Sequence, residues 1–105
     1  RRGIVNPAVD LPEDGAQDYV SHLFVVRARP RDSLKAHLAG EGIAADVHYP
    51  VPDHRQPAIA DRFPDLALPV TERLAGEVLT LPCFPEMLDE EVDRVVAAVN
   101  RWQPR

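Results

Sequence analysis

The sequence is poor in several residue types that mark particular classes of protein. Its 105 residues include a single cysteine, Cys83, which excludes an internal disulfide and the zinc frameworks built from several thiolates. No apolar run approaches the roughly 20 residues that a membrane-spanning helix needs, and the N-terminus lacks the apolar core of a signal peptide. We therefore expect a cytoplasmic protein with no membrane partner.

Basic charge is also scarce and scattered. The chain has 12 lysine and arginine residues against 17 aspartate and glutamate residues, a formal net charge of -5. Because the basic residues form no cluster, nucleic acid is not an expected partner. A glycine-rich phosphate loop, a Walker motif and a nucleophile elbow are absent as well. The residues alone therefore indicate no complete catalytic machinery.

Proline is the residue type present in excess. The chain has 11 prolines, about twice the average share, and most of them lie in residues 50–85, which we expect to be irregular. The length indicates a single domain. Residues 1–18 carry acidic and turn-forming residues with few apolar ones, so we predict a linker there and the domain itself in residues 19–105.

Hydrophobic periodicity predicts an alternation of strands and helices. Strands are predicted at residues 22–29, 43–49 and 78–81; helices are predicted between residues 32 and 40, 71 and 77, and 89 and 102; a short helical turn is predicted within residues 58–63. The first two strands fit a parallel or an antiparallel pair equally well. We predict an α+β domain with a small sheet of about three strands and helices packed on one face.

The helices have recognisable ends and inner faces. The expected N-caps are Asp32 or Ser33, Thr71 and Asp89. The expected inward side chains are Leu34 and Leu38 in the first helix, Leu74 in the second, and Val92, Val95, Val96, Val99 and Trp102 in the last. Packing of the last helix must outweigh the weak helix propensity of its four valines.

The stretch of residues 42–54 is the most distinctive part of the chain. Side chains of a strand alternate between its faces, which groups Ile43, Ala45, Val47 and Tyr49 against Ala44, Asp46 and His48. Pro50 and Pro52 then stop the strand, because each fixes φ and removes a backbone donor. His48, Tyr49 and His54 are thus expected on a stiff loop at a strand end, a usual place for binding groups.

Three chemical roles are open to these histidines. A metal site would combine His48, Asp53 and His54, but five intervening residues with two prolines match no common ligand spacing. A structural role would have His48 finish the strand and His54 cap a turn. We favour the third role, in which His48, Tyr49 and His54 hydrogen-bond sugar hydroxyls or phosphates.

Four other reactive side chains receive plainer expectations. Asp46 is expected to be solvated or ion-paired, rather than a catalytic partner of His48. His22 opens a strand and can face a partner domain, and His37 is expected on a solvated helix surface. Cys83 has no basic neighbour in sequence to lower its pKa, so we expect a small buried hydrophobe.

Four motifs follow one another within residues 19–102. They are His-Leu-Phe-Val-Val-Arg at 22–27, Gly-Ile at 42–43 leading to His-Tyr-Pro-Val-Pro-Asp-His-Arg-Gln-Pro at 48–57, Leu-Pro-Val-Thr-Glu-Arg at 68–73, and Val-Leu-Thr-Leu-Pro-Cys-Phe-Pro at 78–85 before a Glu-Glu-Val-Asp-Arg-Val helix. In this order they resemble the C-terminal domain of the DegT family of nucleotide-sugar aminotransferases, and the order makes the resemblance specific.

The resemblance implies the small domain of a type I pyridoxal-phosphate aminotransferase, with a mainly antiparallel sheet. Such enzymes are homodimers that move an amino group from glutamate to a keto sugar carried on a nucleotide. Their large domain holds pyridoxal phosphate through a Schiff-base lysine. The loop similar to residues 48–54 lies towards the active-site cleft, which makes His48, Tyr49 and His54 implied substrate contacts and His22 a further candidate.

The chain departs from a complete enzyme of that family. Its one lysine, Lys35, falls in a predicted surface helix without a site for the cofactor phosphate. The chain has no initiator methionine, so we expect a piece of a longer protein whose missing large domain leaves some apolar surface exposed. Alone it is expected to be inactive and to bind no pyridoxal phosphate specifically.

The alternatives are a dehydratase of the same family or a free-standing module that binds a sugar nucleotide or a protein partner without catalysis.

Overall fold

The computed structural model describes residues 3–13 and 22–104. Three antiparallel strands form one sheet in the order β1 (Val9–Asp10), β2 (Phe24–Ala28) and β3 (Val78–Leu81). The helices are α1 (Arg31–Gly40), α2 (Pro69–Ala75) and α3 (Asp89–Arg101), with 3-10 turns at Asp53–Arg55 and Ala60–Arg62. The α+β fold class is therefore confirmed. Within the described ranges, the helices are too short or too polar for any of them to cross a membrane.

The core lies between one face of the sheet and the helices α1 and α3. Val26 of β2 pairs with Leu79 of β3, and both side chains are completely buried. Leu34 and Leu38 of α1 and Val99 of α3 complete the same apolar cluster. Trp102 closes the cluster and donates its indole N–H to Ser33 Oγ at 3.1 Å. The predicted inner faces of the first and last helices are thus confirmed.

The observed N-cap of each helix precedes the predicted one. The expected N-caps were Asp32 or Ser33, Thr71 and Asp89, whereas the observed ones are Pro30, Leu68 and Leu88. Pro69 takes the first position of α2, where its fixed φ suits a helix and its missing N–H would have no partner. At α3 the Glu91 carboxylate accepts the Leu88 N–H at 2.9 Å. The acidic residue that satisfies the N-cap backbone therefore lies within the first turn of the helix.

The third strand of the sheet comes from a part of the chain that was predicted to be a linker. Val9 pairs with Ala28 and is buried, and Ile4 also belongs to the core. This strand was missed because two residues are too few to show an alternating pattern. Residues 14–21, which include the predicted boundary at residue 18, lie outside the described residues.

Residues 43–49 form no regular strand and are joined to the sheet at one position only. Asp46 donates its N–H to the Thr80 carbonyl at 3.1 Å and accepts the Thr80 N–H at 2.7 Å. The predicted alternation holds as far as Val47, since Ile43 is buried and Ala44 is exposed. The prediction of a full strand here was wrong, because the pairing with β3 is not continued on either side of Asp46.

Glu72 of α2 ties together the proline-rich segment that follows. Its Oε1 accepts a hydrogen bond from Arg55 at 2.6 Å, and its Oε2 accepts the Leu68 N–H at 2.9 Å. The Leu68 N–H lowers the pKa of the Glu72 carboxyl; partial burial opposes this, and Arg55 and His54 lower it further. One ionised carboxylate thus fixes the start of α2 against the turn at residues 53–55.

We expect Glu72→Gln to destabilise the chain near neutral pH. A carboxyl whose pKa is lower in the folded state contributes stability above its usual value of 4.5, and this stability is lost as the pH falls through the lowered folded-state value. The gap between wild-type and variant urea midpoints should therefore shrink below pH 4.5. Glu86→Gln, at an exposed carboxylate with no ion pair in the described part of the chain, is the control and should show no such gap. If the gap between the wild-type and Glu72→Gln urea midpoints were the same near neutral pH and below pH 4.5, this role of Glu72 would be contradicted.

Candidate functional site

The site lies on the face of the sheet that points away from α1 and α3. Leu79 and Leu81 of β3 enter the core, so Val78 and Thr80 point to the other side. The segment from His48 to the end of α2 covers that side and leaves an open cleft of about 570 Å³. This cleft therefore sits directly after residues 43–47, at the loop that the sequence singled out.

His48 and Tyr49 lie together on the lining of the cleft. Nδ1 of His48 is 2.8 Å from Thr80 Oγ1, which fixes the orientation of the imidazole. Nε2 of His48 has no hydrogen-bond partner among the described residues. The Tyr49 ring packs edge-on against the imidazole, with 5.2 Å between centroids, and 68% of Tyr49 is exposed. The peptide bond between them is cis. The pair offers an imidazole nitrogen and a phenol for hydrogen bonding.

Thr80 is a site residue that the sequence did not suggest. Its backbone is hydrogen-bonded to the backbone of Asp46, and its hydroxyl is hydrogen-bonded to His48. Thr80 therefore positions both ends of residues 46–48. Nothing in the local sequence marks Thr80, because it is an ordinary strand residue. Only the alternation of β3, taken with its register, brings its side chain beneath His48.

His54 lines the same cleft but is buried, with 5% of the residue exposed. Neither ring nitrogen has a hydrogen-bond partner in the described structure, and the nearest ion-pair partner, Glu72 Oε2, is 3.8 Å from Nε2. That distance is too long for a hydrogen bond. Because both nitrogens are inaccessible, a ligand in the cleft does not reach them in this arrangement. His54 thus forms part of the wall.

The structure does not bring all sequence candidates into the cleft. His22 is exposed and lies outside the residues that line it. Asp46 is exposed, as expected, and its carboxylate accepts the neighbouring Val47 N–H at 2.8 Å instead of orienting His48. The candidates that meet are therefore His48, Tyr49 and His54.

Two of the plainer expectations were wrong. His37 is half-buried, and its Nε2 lies 2.8 Å from the Ala98 carbonyl oxygen and 2.9 Å from the Glu41 carboxylate, because α3 packs against that side of α1. Cys83 is exposed rather than buried. The reason is that β3 ends at Leu81, and the chain leaves the sheet before the cysteine.

The rest of the cleft wall is mainly apolar. The apolar side chains on it include Ile59, Phe63, Leu66, Leu68, Leu74 and Val78. Asp53 supplies a carboxylate, and among the described residues no lysine or arginine lines the cleft. Phe63, Leu66 and Leu68 are all more than a third exposed, as expected for a domain with uncovered apolar surface. The sequence showed these residues only as apolar positions in a proline-rich loop.

The cleft residues do not fit pyridoxal phosphate on their own. Lys35 is exposed on α1 and does not line the cleft, so no amine is available there for a Schiff base. Among the described residues, no group of three or more histidine, cysteine or acidic side chains is arranged to hold a metal ion. The chemistry that this cleft offers is hydrogen bonding at its polar side chains, His48 and Tyr49 among them, and apolar contact along much of its wall.

Known proteins share both the sequence and the fold of this chain. Residues 4–100 match the model of the DegT/DnrJ/EryC1/StrS aminotransferase family. The dTDP-3-amino-3,6-dideoxy-alpha-D-galactopyranose transaminase of Aneurinibacillus thermoaerophilus is 42% identical over 102 residues, which are 94% of this chain and 27% of the relative. The chain thus spans about a quarter of the length of such relatives.

Solved structures agree with this likeness. The S. venezuelae protein DesV, in complex with a ketimine intermediate, has a TM-score of 0.87 and 41% identity; the match covers 95% of this chain and 28% of that chain. NtdA from Bacillus subtilis, with bound cofactor PMP, has a TM-score of 0.78 and 34% identity over 89% of this chain and 22% of that chain. These neighbours are aminotransferases of the type I fold, as the resemblance implied. Because the family model matches nearly the whole chain, the chain belongs to the DegT/DnrJ/EryC1/StrS aminotransferase family.

Proposed function

We propose that this chain is the C-terminal small domain of a pyridoxal-phosphate-dependent aminotransferase that moves an amino group from glutamate to a nucleotide-linked keto sugar. The observation that carries the proposal is the 42% identity to a dTDP-sugar transaminase over 94% of the chain. A homodimer is part of the proposal, as is a large cofactor-binding domain outside this chain. The product would enter amino-sugar biosynthesis in the cytoplasm.

The cofactor would be held outside this chain. Pyridoxal phosphate supplies an electron sink for moving the amino group, and its attachment needs a lysine in a phosphate-binding site. Lys35 is exposed on α1 and away from the cleft, so it does not meet that requirement. This chain would instead contribute groups that bind and orient the nucleotide sugar.

His48 and Tyr49 are the proposed substrate contacts. Thr80 holds the His48 ring through Nδ1 and leaves Nε2 without a partner in the described structure, so that nitrogen is available to a sugar hydroxyl or phosphate oxygen. Tyr49 adds an exposed phenol beside it. His54 would support the wall of the same cleft, with its ring nitrogens reaching substrate only after a rearrangement.

The native polypeptide tests the proposal directly. Isolated from its source with an antibody against this domain, it should be several times heavier than 11.7 kDa and should convert glutamate to 2-oxoglutarate over repeated turnovers only with a nucleotide-linked keto sugar present. A product of the fragment's own size that binds a sugar nucleotide without turnover would favour the non-catalytic module. Loss of water from the sugar without use of glutamate would favour a dehydratase.

In the complete enzyme, His48→Ala should raise KM for the nucleotide sugar by about threefold to tenfold, the effect of losing one hydrogen bond of ordinary strength. The KM for glutamate in its half-reaction should stay unchanged. Thr80→Val should change the same parameter in the same direction, because it removes the group that orients the ring. His22→Ala, outside the cleft, is the control. An unchanged KM in His48→Ala would contradict the proposed contact.

The 105-residue chain alone should retain no pyridoxal phosphate. After incubation with the cofactor and dialysis, its absorption spectrum should match that of untreated protein, because Lys35 lacks a surrounding phosphate site. Lys35→Arg, which keeps the charge, should give the same spectrum. A cofactor band that survives dialysis in the wild type and disappears in the variant would overturn this expectation.

A further inference from the structure

A second pocket, separate from the cleft, is lined by three arginines. Val26 and Ala28 of β2 enter the core, so Arg27 between them points to the other face of the sheet. Arg29 follows directly after β2, and Arg73 reaches the same pocket from α2. The pocket is open, has a volume of about 470 Å³ and shares no lining residue with the cleft. Three guanidinium groups thus meet at one place in a chain whose net charge is -5.

Two carboxylates on the lining balance these cations only in part. Asp10 accepts a hydrogen bond from Arg27 at 3.1 Å, and Glu77 accepts one from Arg29. Glu77 is buried, so its ion pair fixes the position of the Arg29 guanidinium. The Nε atom of Arg73 is 3.8 Å from Glu77 Oε1, which is too long for a hydrogen bond. One positive charge of the pocket therefore has no hydrogen-bonded carboxylate within the described ranges.

The donors that remain in the pocket suit a phosphate group. A guanidinium has more N–H groups than one carboxylate oxygen accepts, so Arg27 and Arg29 keep donors beyond those in their ion pairs. Phosphate oxygens match the planar fork of arginine and accept charge-assisted hydrogen bonds from it. An acidic peptide would need cations spaced along a groove, whereas these three arginines come to one pocket from a strand, a turn and a helix. A single compact anion therefore fits better.

We propose that Arg27, Arg29 and Arg73 form a phosphate-binding site on a different face of α2 from the cleft. Asp10 and Glu77 hold two of the guanidinium groups in place, and Arg73 supplies the charge that is not compensated. The ligand is the free phosphate ion or the phosphate of a small monoester, which present the same oxygens to the pocket. The site goes beyond the proposed function and does not depend on it, because none of its residues lines the cleft.

The test is a nuclear magnetic resonance titration of the isotope-labelled 105-residue chain at constant ionic strength. The probes are inorganic phosphate and methyl phosphate, and the signals observed are those of the arginine Nε–H groups. Arg27, Arg29 and Arg73 should shift in a saturable way with a Kd on the order of 1 mM, because exposed charges attract an anion weakly in water. The probe that binds more tightly identifies the source of the phosphate as the free ion or a monoester.

Two arginine variants with the same change in charge provide a matched comparison. Arg73→Gln should weaken phosphate binding by about tenfold, the effect of losing one hydrogen bond to a charged group. Arg62→Gln removes the same charge from an exposed arginine outside the pocket and should leave the Kd unchanged. Arg27→Gln is a second variant of the pocket and should act like Arg73→Gln. Arg29 is kept, because its loss would leave the buried Glu77 carboxylate without its closest partner. Amide spectra should show that each variant retains the fold.

Three results would overturn the proposal. The first is the absence of a saturable shift with either probe up to roughly 20 mM, a concentration well above the expected Kd. The second is an equal effect of Arg73→Gln and Arg62→Gln, which would assign any binding to net charge alone. The third is a response to a tetraglutamate peptide without a response to phosphate, which would assign the surface to an acidic protein segment. His48→Ala, in the cleft, should leave phosphate binding unchanged.

Discussion

The register between β2 and β3 fixes both the core and the cleft of this domain. It sets Val26 opposite Leu79 in the centre of the core, where both side chains are completely buried. A shift of one residue would turn Leu79 towards the cleft and Thr80 into the core, since the side chains of a strand alternate. The apolar core and the placement of the hydroxyl that orients His48 are therefore two results of one register.

The proline-rich part of the chain builds the cleft with little regular structure. Prolines restrict φ along this segment, which lowers the conformational freedom that must be lost when it becomes ordered. Glu72 adds fixed points by binding Arg55 and the Leu68 N–H. The result is a wall whose apolar side chains remain partly exposed. Partly exposed apolar surface of this kind is typical of a domain that packs against further protein. The chain spans about a quarter of its relatives' length.

Much of the fold was predictable because periodic apolar patterns are local. β3 has its predicted bounds, and Leu34, Leu38, Val95 and Val99 are buried as predicted. Helix starts were less accurate, because several neighbouring residues can serve as N-cap and the packing of the helix selects among them. The short strand at Val9 and the single pairing at Asp46 depend on contacts with distant strands, which no local pattern contains.

The type of fold, the family and the loop that carries the polar candidates could all be read from the amino-acid sequence. These follow from apolar periodicity, from the ordered motifs and from the prolines at positions 50 and 52. The accessibility of these groups depends on tertiary packing. In the described structure Thr80 is hydrogen-bonded to His48, His54 is buried with both ring nitrogens unpaired, and His22 lies outside the cleft. Local sequence does not show this, because accessibility and hydrogen-bond partners depend on how segments far apart in sequence pack together. Residue type and spacing state which groups are available, but not which of them a ligand can reach.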